Sequence, residues 1–592
     1  MIKRIMTKSL GVFLALALAY LVLAVFVTNS YYQLILTLVL IWAVFGLSWN
    51  ILSGYTGLIS FGHASFFGIG AFATVLAQIY LSLSPWIMFF VSGLIGAAVA
   101  LIIGLPTFRL RGHYFALSML AYPLALMYVF LWLGFPEVSV PRVHDNPAAY
   151  MQFSDGRVYT LIAMIFLIAV VVLSKAIENS RFGMALIAIK QNEAAAEAAG
   201  IDALRWKLKA IALSGAIAAM AGSLYAVVIL VITPQSVFGM LVSAQALTVT
   251  MFGGIGTVWG PLIGAGFLIP IAEILHAELG HLLPGIQGVV YGLAIVVLTI
   301  LAPEGMFWKA RDWVRSSRGP QKGEAELAVP PAVTEAPPVQ PAAREISSDV
   351  VLDVRNVSKN FGGLKAVQDV SFTVNRGMIL GIIGPNGAGK TTLFNILNGF
   401  QFPSEGQVIV GGRDMARRRP HELCRAGVGR TFQIMRPFTR MSVRDNVRVG
   451  SYVRAASEEE AARIADDALA QVGLAAIANR LAGELSTKDL RLMELARALA
   501  GQPHILLLDE TLAGLGREEA VEVVDVIKRL SASGITVVII EHTMHAMVHL
   551  VDRFLVLDHG QVVTEGLPAE VTRDPRVIEA YLGKNWVANA QD

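Results

Sequence analysis

The first three hundred residues are a succession of apolar runs, each about as long as a bilayer is thick. Some 20 mostly apolar residues are needed to cross roughly 30 Å of hydrocarbon. Candidate spans fall at 9–28, 32–52, 63–82, 86–105, 113–134, 158–177, 209–232, 238–252, 260–276 and 285–302. The stretch 238–276 is too long for one crossing and divides at Gly253-Gly254-Ile255-Gly256. Lipid offers no hydrogen bonds to the backbone, so these runs are expected to be helices. Of 592 residues, 55% are hydrophobic and 15% charged, against about 25% charged in an ordinary soluble domain. That average conceals a split. The apolar runs stop near residue 310, and the remainder beyond about 349 has a globular composition and a single-domain length.

Charge sets an expected topology. Lys3, Arg4 and Lys8 place the N-terminus inside. The opening apolar run lacks a convincing small-residue cleavage site and is read as a retained first span. Arg109, Arg111, Arg181, Lys190, Arg205, Lys207, Lys209, Lys309, Arg311, Arg315 and Arg318 all fall on inside loops, whereas the loops near 30, 83, 235 and 280 carry almost no Lys or Arg. Both ends inside require an even number of crossings, and about ten satisfies this. The lone Cys424 excludes an intrachain disulfide and fits a reducing compartment. A net charge of +3 gives no reason to expect a nucleic-acid partner.

Within the spans, small residues such as Gly62, Gly68, Gly70, Gly260 and Gly264 allow close helix packing. The pairs in Gly54-Tyr55-Thr56-Gly57 and Gly253–Gly256 admit a second reading, broken helices lining a substrate path. His63 is the ionisable residue of its span, either a functional group or a histidine hydrogen-bonded between helices. The inside loop 178–208 reads as helical, with Glu193, Ala194, Ala195 and Glu197 favouring helix and Gly200 ending it. It is either a solvated helix or a coupling helix fitting a groove on another domain. Residues 311–348 hold Pro320, Pro330, Pro331, Pro337, Pro338 and Pro341 and read as an extended tether.

The segment Gly384-Pro385-Asn386-Gly387-Ala388-Gly389-Lys390-Thr391 fits G-x-x-x-x-G-K-[ST]. Its glycines aim backbone N–H groups at phosphates, Lys390 reaches the terminal phosphates, and the Thr391 hydroxyl can sit on Mg²⁺, with Thr392 following. Ile505-Leu506-Leu507-Leu508 then Asp509-Glu510 is a buried strand ending in two acids: Asp509 for Mg²⁺, Glu510 to polarise the attacking water. A third strand, 536–540, delivers Glu541-His542, with His542 as a γ-phosphate sensor. Gln433 lies between the first two motifs, where it could contact Mg²⁺ and water. Phe361 is placed to stack on adenine, or is a core residue.

The order phosphate loop, Gln433, Asp509-Glu510, His542 resembles the ABC-type ATPase family. That implies an α/β P-loop ATPase domain (349–592) using ATP and Mg²⁺, behind a polytopic α-helical membrane domain (1–310). Where the family has Leu-Ser-Gly-Gly-Gln, this chain has Leu485-Ser486-Thr487-Lys488-Asp489, and Ala513-Gly514-Leu515-Gly516 lacks the usual aspartate. The family sandwiches ATP between one subunit's phosphate loop and the other's signature. The altered signature is therefore expected to weaken the partner's site, with Lys488 offering charge in place of glycine N–H groups. The membrane half, through Gly54–Ala64, Phe108–Ala116, Asn192–Gly200 and Gly253–Pro261, resembles the permease subunit of branched-chain amino acid ABC importers. That resemblance implies an inner-membrane protein with a cytoplasmic ATPase domain, set among membrane lipid. It also implies a second permease, a second ATPase and an extracytoplasmic substrate-binding protein. Other small solutes (urea or amides, aromatic or dicarboxylic acids) and a homodimeric exporter are the rival readings.

Overall fold

The computed structural model describes residues 2–110, 112–283, 285–301, 305–307, 309, 346–541 and 547–582. The tether expected at 311–348 therefore lies outside the described residues up to 345. Two compact units emerge, one of residues 1–190 and 204–330, the other of 191–203 and 331–592.

The first unit is helical. Among the described residues, eight helices have the length and apolar character to cross a membrane: Ser30–Gly54, His63–Leu81, Pro85–Thr107, His113–Trp132, Gly156–Glu178, Ala203–Ile229, Pro234–Gly253 and Trp259–Leu279. Two shorter apolar helices, Leu10–Phe26 and Ile286–Val297, correspond to the first and last expected spans. Small residues let the helices touch: a Cβ on Gly70 would collide with Ala219, and one on Gly222 with the backbone of Phe67. Two-residue strands β1 (Val138–Ser139) and β2 (Val231–Ile232) pair antiparallel.

Both glycine pairs interrupt helices, and they meet. The helix from Ser30 ends in a π-turn, Asn50–Gly54. The helix Met240–Gly253 stops at Gly254, whose φ is +131°. The Asn50 side chain joins the two breaks: its Oδ1 accepts from Gly256 N at 2.8 Å, and its Nδ2 donates to Thr257 O at 3.1 Å. Lys190 Nζ donates to Gly54 O at 2.8 Å. The freed backbone groups are thus satisfied by side chains, as lipid depth requires.

His63 is fully buried and hydrogen-bonded between helices. Ser214 Oγ donates to Ser48 O at 2.6 Å, so its hydrogen is spent. His63 Nε2, 2.7 Å from Ser214 Oγ, must be the donor there, which leaves Nδ1 to accept from Ser60 Oγ at 2.9 Å. Of the two readings of His63, this geometry supports the packing role.

The second unit holds two sheets. One is four-stranded and antiparallel, in the order β4 (Leu364–Asn375), β3 (Val350–Phe361), β6 (Glu405–Val410), β7 (Arg413–Asp414). The other is six-stranded, in the order β12 (Gln561–Gly566), β11 (Arg553–Asp558), β5 (Ile379–Ile383), β10 (Thr536–Ile540), β9 (Ile505–Asp509), β8 (Val428–Arg430). All its neighbours run parallel except the edge pair β11–β12. Strands β5, β9 and β10 are buried at every residue, the pattern of parallel strands covered on both faces. They are adjacent, so their C-terminal ends bring the phosphate loop, Asp509-Glu510 and Glu541 to one edge, where ligands bind in open α/β sheets.

Candidate functional site: the nucleotide cleft and the signature segment

The phosphate loop joins β5 to the helix Lys390–Leu397. Gly384, Gly387 and Gly389 have φ of +153°, +83° and +93°, conformations that side-chain-bearing residues rarely adopt. This backbone turns successive N–H groups inward and leaves a helix N-terminus facing the same space. Lys390 Nζ donates to Gly384 O at 2.6 Å and Pro385 O at 2.8 Å. Burial holds its ammonium below the usual lysine range, with Glu510 acting in the opposite sense. Phosphate oxygens would have to take over these two hydrogen bonds.

A cleft of about 760 Å³ is lined by Phe361, Asn386–Thr392, Gln433 and Glu510, with Lys365, Gln368 and His559 at its rim. Phe361 is 45% exposed and carries Lys359 Nζ 5.2 Å from its ring centre. It belongs to the cleft, and the core-packing reading fails. Gln433 Nε2 donates to Glu510 Oε2 at 2.9 Å, leaving the amide oxygen of Gln433 unspent. Glu510 has a left-handed backbone, φ +46°, an expensive conformation in a non-glycine residue. Asp509, one residue back, is buried, and its carboxyl is raised above its usual range by that burial, against the pull of Arg430. Arg430 Nη2 lies 3.1 Å from Asp509 Oδ2. Thr391 and Gln433 bring oxygen donors to the cleft, and Asp509 stands behind them, next to Glu510, with its Oδ2 held by Arg430; together they make the donor set that suits Mg²⁺. His542 lies outside the described residues.

Sequence reasoning missed three residues that hold this edge together. Arg430 is wedged among Phe394, Phe400 and Phe432, with ring centres 4.8–5.9 Å away. Arg491 donates to Phe432 O and Gln433 O, both at 2.9 Å, and so ties the signature helix to the glutamine loop. Glu494, on the same helix, accepts from Arg436 N at 2.7 Å and pairs with Arg497 at 3.2 Å. A charge in every third or fourth place on an otherwise apolar helix face was the available signal.

The signature segment looks different from its sequence-based expectation. Ser486 caps the helix Thr487–Leu499, its Oγ accepting from Asp489 N at 3.2 Å. Lys488 Nζ is 2.8 Å from Glu522 Oε2, a hydrogen bond that raises its pKa. The charge expected to be on offer is therefore already paired.

The 191–203 segment packs within the ATPase unit. Its helix, Glu193–Ala198, buries Ala195 and Ala196 and is capped by the Asn192 side chain. Ala194 and Glu197 complete that helix, and Gly200 follows it with φ +89°. A Cβ on Gly200 would press on Val453 at 3.0 Å and Cys424 Sγ at 3.3 Å. Gln191 Oε1 accepts from Arg440 N at 3.1 Å, and Asp202 lies 3.6 Å from His421 Nε2. One face of the helix, Ala195 and Ala196, is buried, while Glu193 stays exposed.

A polytopic apolar helical unit joined to a cassette with these motifs defines the class of ATP-binding-cassette transporters. The comparisons give the family. Residues 31–299 match the permease component of the branched-chain amino acid transport system, residues 367–513 the ABC transporter family, and residues 561–586 the branched-chain amino acid ATP-binding cassette transporter family. The probable branched-chain amino acid transport ATP-binding protein LivG of Methanocaldococcus jannaschii is 36% identical over 251 residues, covering 40% of this chain and 98% of that protein. BraF of Pseudomonas aeruginosa, a high-affinity branched-chain amino acid transport ATP-binding protein, is 36% identical over 250 residues, covering 40% and 98%. A solved nucleotide-free ATP-binding cassette is 33% identical, covering 40% of this chain and all of that one, with a TM-score of 0.37. The chain belongs to the branched-chain amino acid ABC transport family, with the permease and ATP-binding components fused in one polypeptide. It is a membrane protein that binds nucleotide and couples ATP hydrolysis to transport.

Proposed function

We propose that this chain supplies one permease and one ATPase to a binding-protein-dependent importer of branched-chain or other hydrophobic amino acids. It would lie in the inner membrane with its ATPase domain cytoplasmic. A second permease, a second ABC ATPase and an extracytoplasmic substrate-binding protein complete the assembly. The observation that carries this reading is the agreement of two independent halves. A permease match over 31–299 and a cassette match over 561–586 name the same solute class in one chain.

In this reading the domains run 1–310, 311–348 and 349–592. ATP lies on Gly384–Thr392, with adenine against Phe361. Thr391, Gln433 and Asp509 would hold Mg²⁺, which would supply positive charge against the developing charge on the phosphates. Glu510, steadied by the Gln433 amide, orients and polarises the attacking water. His542 senses the γ-phosphate. The segment Glu193–Gly200 is the coupling element. It answers to Gln433 through a short path: Arg436 and Arg440 contact Asn192 and Gln191, and Glu494 and Arg491 fasten the loop between.

The test is uptake by vesicles reconstituted with the full assembly. ATP-dependent accumulation of labelled leucine is expected only when the binding protein is present. A homodimer of this chain that is active alone would sink the reading.

A further inference from the structure

An acid sits inside one of the apolar helices, and the transport chemistry above does not use it. Glu273 lies on Trp259–Leu279, six residues or about 9 Å from the helix end at 1.5 Å per residue. It stands half-buried at the edge of the buried stripe Ala265, Leu268, Ile269 and Ala272, one turn beyond Ile269. Gln287 Nε2 donates to its Oε1 at 3.1 Å, and Tyr31 Oη donates to its backbone carbonyl at 2.9 Å. Its Oε2 accepts no hydrogen bond among the described residues, and no Lys, Arg or His forms an ion pair with it there. His276, within electrostatic reach, makes no such contact.

A second group points the same way. Tyr291 is 1% exposed, and its hydroxyl has no hydrogen-bond partner among the described residues. It is four residues beyond Gln287 and so on the same helix face. The Gln245 side chain lies beside it, and the carboxylate of Glu273 is within electrostatic reach. A buried hydroxyl whose polar neighbour is the Gln245 side chain alone, with no well-aligned hydrogen bond, is costly, and so is a carboxylate in a span. Packing alone does not explain either. A glutamine at 273 would keep the bond to Gln287 without the charge.

We propose that Glu273, with the Tyr291 hydroxyl and Gln245, forms a station in the membrane unit for the ammonium group of a zwitterionic amino acid. This rests on the amino-acid importer reading. An ammonium carries three donors and no acceptor, the complement of a free carboxylate oxygen and a phenolic oxygen. Tyr31 and Gln287 flank the loops near 30 and 280, which lack Lys and Arg, so the station stands toward the extracytoplasmic end in the proposed orientation. Cargo would meet it on entry. The other primary ammonium at this depth is a lipid headgroup.

The full assembly is placed in phosphatidylglycerol nanodiscs and treated with dicyclohexylcarbodiimide, which forms an N-acylurea on a carboxyl in an apolar site. Mass spectrometry reads the label on Glu273. Leucine is expected to slow labelling, and 4-methyl-2-oxopentanoate, which lacks the ammonium, to leave it unchanged. Equal labelling with and without leucine overturns the proposal, as does protection that appears only when phosphatidylethanolamine is added. In vesicles, Glu273→Gln is expected to lower leucine uptake about tenfold, the loss of one charged hydrogen bond. Tyr291→Phe should cost less, and Glu278→Gln, an exposed acid on the same helix, should cost nothing. Full uptake by Glu273→Gln sinks this station alone. Protection of Glu273 in wild-type assemblies that accumulate no leucine instead sinks the importer reading.

Discussion

The phosphate loop and the signature segment each end in a helix N-terminus, but only one of the two is shaped to receive an anion. At the loop, three glycines hold left-handed backbone and open the N-terminus of Lys390–Leu397 to the cleft. At the signature, Ser486 folds its own oxygen onto the first turn, and Asp489 brings an acid to it. The loop offers one cation, Lys390, to the cleft. The signature has Lys488 hydrogen-bonded to Glu522 and places the Asp489 carboxylate at the same helix end. An acid at a helix N-terminus stabilises that helix by about 0.3–1 kcal/mol, and the same field is what would draw a phosphate. The signature has thus turned its anion-attracting end to its own stability. On the proposed pairing, this chain keeps a competent ATP site of its own and presents a poor face to its partner's.

The widest separation of the two regions comes from Glu510→Gln. Gln433 can still donate to the amide oxygen, and the isosteric side chain keeps the left-handed backbone as it is. The charge that polarises water is gone. Steady-state ATP hydrolysis in the assembly should fall by about 10²–10⁴-fold, the usual contribution of a positioned general base, while labelled ATP still binds. If turnover stays near wild type, either the assignment of Glu510 is wrong or hydrolysis runs at the other site, and the comparison collapses.

The reciprocal experiment rebuilds the signature as Thr487→Gly, Lys488→Gly and Asp489→Gln. Glycine N–H groups would be exposed and the repelling acid removed. Nucleotide trapping should rise about tenfold at the partner's site, the scale of a unit charge near a phosphate at intermediate dielectric, and change little at Gly384–Thr391. A gain confined to this chain's own site would reverse the assignment of faces.

How much of this was legible in the sequence depends on the range of the cause. The apolar runs, the strand ends and the glycine loop are local patterns, and each element formed close to where it was expected. Thr536–Ile540 matches residue for residue, and Gly253–Gly256 divides two helices as read. What stayed hidden was pairing across distance. Lys488 is a lone cation in sequence, and only the neighbouring helix shows that Glu522, 34 residues away, takes its charge. Asn50 reaches Gly256 across 206 residues to join two helix breaks, and no periodicity carries that information. Phe361 was undecided between core and cleft because exposure is a property of the fold. Glu273 is a different case: it stood in plain view inside the span 260–276, and an acid in an apolar run was signal enough.

The smallest effect tests whether the Lys488 pairing matters at all. Glu522→Gln leaves the signature sequence untouched and removes only the partner of Lys488. The pair is partly exposed, with 26% and 59% of the two side chains accessible, and exposed pairs contribute about 0–1 kcal/mol. Thermal stability should therefore barely move. Released from its hydrogen bond to Glu522, the Lys488 ammonium can turn toward the partner's γ-phosphate. A gain of about two- to fivefold in trapping at the partner's site matches the same energy scale. If trapping is unchanged while the rebuilt signature still raises it, then Asp489 and the missing glycines account for the whole defect. If trapping falls, Glu522 is helping to hold the segment in a shape the partner uses, and the signature is less degraded than its residues suggest.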